Sequence, residues 1–76
     1  MKYPNIEAER VRARLSRSQL AERIGVKRDT YNAWIDGIYP IPANFLRKIV
    51  FILNCNADYL LAGDSSNERW KRYIAV

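Results

Sequence analysis

Gly25 and Gly37 bracket the stretch that constrains this chain most. Each follows a short run of helical spacing, where a chain leaving a helix favours a residue that tolerates positive φ. From Ser16 to Gly37 the sequence reads SRSQLAERIGVKRDTYNAWIDG. Ser16 and Gln19 have the spacing of a capping box, in which the hydroxyl accepts from a first-turn amide and the glutamine reaches back to the cap amide. A helix starting at Arg17 then carries Leu20, Ala21 and Ile24 on one face. Val26 returns to the core, and a second helix from about Arg28 to Ile35 presents Tyr31, Trp34 and Ile35 at helical spacing.

Helices this short are not stable alone, since isolated helices need roughly 12–15 residues to be even marginal. They must pack closely on each other, and the small Ala21 permits it. Alanine in the first helix, glycine at the turn and apolar residues in the second make a helix-turn-helix pattern. An ordinary helical hairpin in a small bundle is the competing reading. The polar composition of the second helix's other face counts against it.

The 76 residues make one domain, and nearly half of them are apolar, which argues against disorder. A chain of this size buries only about 60% of its unfolded surface, so its stability is modest. One cysteine, Cys55, excludes an internal disulfide and fits a reducing compartment. The longest apolar run, Ile49 to Leu53, is too short for a membrane span, so a cytoplasmic protein is expected. With no histidine, no clustered carboxylates and no glycine-rich phosphate loop, the sequence offers neither an enzyme nor a metal or cofactor site.

Net charge is +5, and eight of the thirteen cations precede Asp29: Lys2, Arg10, Arg12, Arg14, Arg17, Arg23, Lys27 and Arg28. That asymmetry suits one basic face for a polyanion, although a merely solvated face has the same composition.

Along the chain, Met1 to Pro4 reads as a loosely held arm. Asn5 is the expected cap of a first helix running to about Arg14, with Glu7 and Glu9 favoured by the dipole and Ile6, Val11, Ala8 and Leu15 as its inward candidates. Prolines at 40 and 42 make a loop, after which a helix from about Ala43 to Leu53 turns Phe45, Leu46, Ile49, Val50 and Leu53 inward. Phe51 and Ile52 either widen that apolar face or meet another subunit. Asn56 caps a fifth helix to about Ala62, with Tyr59, Leu60 and Leu61 packing and Gly63 closing it. Ser65 and Glu68 repeat the capping-box spacing before Trp70, Tyr73 and Ile74, so a short sixth helix either folds back on the core or supplies a dimer contact.

In order and spacing these residues resemble the lambda-repressor-like (Cro and cI type, XRE) helix-turn-helix domains of phage repressors and bacterial regulators. The resemblance rests on Arg10, Leu15-Ser16, Leu20-Ala21, Gly25-Val26, Thr30, Trp34, Gly37, Pro42, Leu46, Ile49, Leu53 and the closing Asp58 to Gly63. It implies an all-α, five-helix domain over residues 1–63, followed by a tail or helix over 64–76. Arg17 stands where glutamine is common, Lys27 where a small capping residue is usual, Tyr31 where valine or isoleucine packs, and Ile35 where glutamate is frequent. The recognition helix is therefore expected to be less well capped.

What the resemblance implies for function is a second helix laid in the major groove of DNA while the first crosses the backbone. Base-reading residues are then Lys27, Arg28, Asp29 and Asn32, with Ala33 close by. Arg28 suits guanine, Asn32 adenine and Asp29 cytosine, although Asp29 could instead cap its helix. Phosphate contacts fall to Arg10, Arg14, Arg17, Ser18, Gln19, the Tyr31 hydroxyl, and the amides around Asp36 to Tyr39, that of Gly37 among them. Lys2 in the arm is a further candidate for touching the DNA. Such domains act as dimers on near-palindromic operators, so a homodimer through Phe51, Ile52, Trp70, Tyr73 or Ile74 is expected. The implied function is a phage-type repressor. The alternative is a protein-interaction module, such as an antitoxin facing a toxin or a repressor controlled by an antirepressor.

Overall fold

The computed structural model describes residues 1–62, and among them there are five helices and no strand. They are α1 (Pro4–Arg12), α2 (Arg17–Ile24), α3 (Arg28–Ile35), α4 (Ala43–Leu53) and α5 (Ala57–Leu61). Gly63, the expected sixth helix and the dimer candidates Trp70, Tyr73 and Ile74 lie outside the described residues.

The capping box forms as the spacing predicts. The Gln19 amide donates to Ser16 Oγ at 3.0 Å, and the Ser16 amide donates to Gln19 Oε1 at 2.8 Å. α2 then packs on α3 with Ala21 fully buried, α1 lies against α5 and α3, and α4 closes against α5 and α2. Ile6, Leu20, Ile24, Tyr31, Ile49 and Leu60 meet in the centre with no measurable exposure. Trp34 and Phe45, with ring centroids 5.3 Å apart, join α3 to α4.

Four helices end in one and the same turn. Arg14, Gly25, Gly37 and Asn54 all have positive φ, and the next amide in each case donates to the carbonyl five residues back. This is the Schellman arrangement, which satisfies carbonyls that the helix end would leave without partners. Glycine announces it at two of the four sites. At Arg14 nothing in the local sequence does, and α1 therefore stops at Arg12 instead of running to about Arg14. A left-handed arginine costs roughly 1–2 kcal/mol. Arg14→Gly is therefore expected to raise stability by up to about 1 kcal/mol, or about 4–8 °C in Tm. A lowered melting temperature would contradict this account of the turn.

Three other features of α1 differ from the sequence reading. The helix starts at Pro4, whose fixed φ suits the first helical position, and Asn5 is inside it. Freed from capping, Asn5 donates from Nδ2 to the Tyr59 carbonyl at 2.8 Å and ties α1 to α5. Val11 faces outward at 62% exposure, because Glu7 and Arg10 take the inward side instead. Arg12 turns back on Glu9 at 3.0 Å, and Glu9 also accepts from the Tyr59 hydroxyl, which leaves Tyr59 only partly covered.

The N-terminal arm is held, too. The Lys2 amide donates to the Ile35 carbonyl at 2.7 Å, and the Lys2 side chain lies across Gly37 so closely that a Cβ there would meet its Cδ at 2.9 Å.

Candidate nucleic-acid interface

Helix α3 divides cleanly by polarity. Tyr31, Trp34 and Ile35 are buried on one side. Lys27, Arg28, Asp29 and Thr30 are exposed on the other, with Asn32 and Ala33 half-buried at its edge. All five residues expected to read bases thus share the N-terminal and outer part of a single helix. As the departure at Lys27 predicts, no side chain caps α3, and Asp29 does not take over that role. Its carboxylate therefore remains available outside.

Beneath this face lies a polar cluster whose members come from three helices. Glu7 on α1 is 7% exposed, and its carboxylate gathers three donors. Arg10 donates from Nε at 2.8 Å, Tyr31 from its hydroxyl at 2.7 Å, and Arg17 from Nε at 2.6 Å. Arg17 extends the cluster to the surface by donating from Nη1 to Asn32 Oδ1 at 2.8 Å. Burial alone would push the Glu7 carboxyl up. The hydrogen bonds from Arg10 and Tyr31 and the charges of Arg10 and Arg17 more than offset that and hold it below its ordinary value. Burial, reinforced by the bond to Glu7, moves the Tyr31 hydroxyl far in the other direction. Tyr31 is a permanent donor here.

This cluster engages several of the residues expected to contact phosphate. Tyr31 has no exposure, so its hydroxyl cannot reach a phosphate. Arg10 is spent on Glu7 and on the Leu15 carbonyl, with 15% of its side chain exposed. Arg17 is two-thirds covered and doubly engaged. In the turn after α3, the Asp36, Gly37 and Ile38 amides donate to Asn32, Trp34 and Ala33 carbonyls at 2.9, 3.0 and 2.9 Å. The Gly37 amide is therefore not free for a phosphate. Tyr39 stays 64% exposed and offers its hydroxyl. Arg14 and Ser18 remain open, and Gln19 is exposed although its Oε1 serves the capping box.

Of the dimer candidates that fall within the described residues, Ile52 packs against the core and Phe51 stands 85% exposed. A shallow groove beside Phe51 is lined by Arg23, Arg47, Lys48 and Ile52. No described helix is long and apolar enough to cross a membrane.

Comparison with known proteins agrees with this geometry. A helix-turn-helix family model matches residues 6–60. No curated protein matches the chain. Among solved structures, the complex of the SinR protein with the SinI protein is similar at 25% identity and a TM-score of 0.64. The likeness covers 92% of this chain and 71% of that one. The chain belongs to the lambda-repressor-like helix-turn-helix family of DNA-binding transcription regulators.

Proposed function

We propose that the protein is a phage-type repressor that occupies a near-palindromic operator as a homodimer. The observation that carries this reading is the outer face of α3. There Lys27, Arg28, Asp29 and Asn32 are held together on a helix whose other side is locked in the core. A rigid helix that carries polar and charged side chains on one accessible side is what major-groove readout requires. Two copies would bring two such helices to half-sites about one helical turn apart. Arg28 reads guanine through its paired donors, and Asp29 accepts from cytosine. Lys27, Arg14, Ser18 and the Tyr39 hydroxyl meet phosphates.

The test is a selection of bound duplexes from a random pool, with the mass in solution recorded alongside. A two-fold symmetric motif and a dimer are expected. Arg28→Ala should relax one base pair per half-site, at a cost of ~1–3 kcal/mol. If Arg28→Ala weakened all sequences equally, the readout assignment would be wrong.

A second reading has its own observation. Phe51, exposed between Arg23, Arg47 and Lys48, suits a protein partner such as an antirepressor or a toxin better than it suits a second copy. Two identical patches would bring like charges together. The similar SinR protein is solved with another protein, SinI, which favours keeping this reading beside the first. Phe51→Ser should leave both the motif and the dimer intact. Loss of the dimer would place the subunit contact at Phe51.

A further inference from the structure

The amide of Asn32 is not free to turn. Arg17 donates from Nη1 to its oxygen Oδ1 at 2.8 Å. A guanidinium has only donors, so the atom that faces it must be the amide oxygen, and chemistry alone fixes the orientation. Arg17 is fixed in its turn, because Nε and Nη2 each lie 2.6 Å from Glu7 Oε1. Glu7 is anchored from the other side by Arg10 and Tyr31. Among the described residues Asn32 Nδ2 has no partner, and no side-chain nitrogen or oxygen is buried without one. That nitrogen is therefore accessible to solvent.

We infer that Glu7 and Arg17 are positioning residues which set the polarity of Asn32, so that it presents donors alone to the groove and selects guanine. The inference rests on the reading of α3 as the helix that enters the major groove. An unrestrained asparagine pairs with adenine by donating to N7 and accepting from N6. Here the amide oxygen is already engaged by Arg17, which leaves the two N–H groups as the amide's free donors. Guanine offers acceptors at both N7 and O6, which match an amide showing only N–H. The adenine preference that Asn32 carries by residue type is thereby reversed by two residues that need touch no base. The contacts run from α1 through α2 to α3, and each is a hydrogen bond to or from a charged group, the strongest kind.

The experiment is the duplex selection carried out with the full chain and with Asn32→Ala, Arg17→Met and Arg17→Lys, each also melted to establish folding. Asn32→Ala identifies the base pair, which should become degenerate. In the unsubstituted protein that pair should carry guanine, favoured roughly tenfold over adenine. Arg17→Met should abolish that preference or turn it to adenine, while the pair read by Arg28 keeps its identity. Arg17→Lys, still a donor without an acceptor, should retain guanine. A general loss of structural support would weaken all positions alike and would not exchange one base for another.

Adenine at the Asn32 pair of the unsubstituted protein would overturn the inference, and needs no variant of Arg17 to observe. So would an unchanged guanine preference in a folded Arg17→Met protein. An absent motif, or one that Asn32→Ala leaves untouched, would instead remove the groove-entering reading and the inference with it.

Discussion

Glu7→Ala is expected to cost the fold about 3–5 kcal/mol, the loss typical of removing one partner from a buried ion pair. At about 0.05–0.15 kcal/mol per residue, a domain of this size has roughly 4–11 kcal/mol in all. The substitution therefore removes a large part of the stability. The reason is what remains behind. Arg10 keeps 15% of its side chain in water and loses its carboxylate, and the Tyr31 hydroxyl is left fully buried without an acceptor. Tyr31→Phe, which deletes one bond and leaves no buried charge unpaired, should cost only about 1.5–3 kcal/mol. Urea unfolding of the two variants checks the order, and equal losses would mean that the charge on Glu7 is not what matters.

Acid should act on the same group. The folded carboxyl titrates below its ordinary value, so its contribution is complete above the range in which an unfolded glutamate ionises. It is lost as pH falls through the depressed folded value. Glu7→Gln should flatten that part of the acid limb, leaving a protein weaker at neutral pH whose stability falls less steeply below it.

How far the sequence reveals this molecule depends on the distance over which each contact is made. The Ser16–Gln19 box, the glycine turns at 25 and 37 and the Asn56 cap involve neighbours within one turn, and all are legible from residue types. The start of α1 at Pro4 was equally local, but Asn5 offered a competing cap. What displaced Asn5 was an acceptor on α5, 54 residues away. Arg14 takes a glycine's conformation because Leu15 has to enter the core there, and no window of the chain announces such a demand.

The same division runs through the candidate interface. The outer face of α3 is legible because hydrophobic periodicity separates Tyr31, Trp34 and Ile35 from the rest. The partners of that face are not, since Tyr31 to Glu7 spans 24 residues and Arg17 to Asn32 spans 15. One local sign was present. Glu7 and Arg10 share the inward stripe of α1 with Ile6, and a charged pair placed beside a core isoleucine seldom stays solvated. The dipole preference of an acid near a helix start hid it, being a sufficient explanation for the same residue.

The engagement of Arg10 and Arg17 by Glu7 makes the salt dependence of DNA binding a sharper measurement. With Arg28 assigned to a base, Lys2, Arg14 and Lys27 are the exposed cations that flank α2 and α3 along the chain and are left for phosphates. Each phosphate neutralised adds ~0.9 to the slope of log affinity against log salt. One copy with about three such contacts should lose roughly 40-fold between 50 and 200 mM salt, whereas a dimer with about six should lose roughly 10³-fold. The steeper fall is the expected result. A slope near half of it, on a duplex carrying both half-sites, would mean that one copy binds at a time. An affinity indifferent to salt would contradict the docking altogether, because a helix lying in the groove brings phosphates to the cations that flank it. Arg14→Gly should reduce the slope by about one per copy while raising the melting temperature, which separates its electrostatic role from its conformational one.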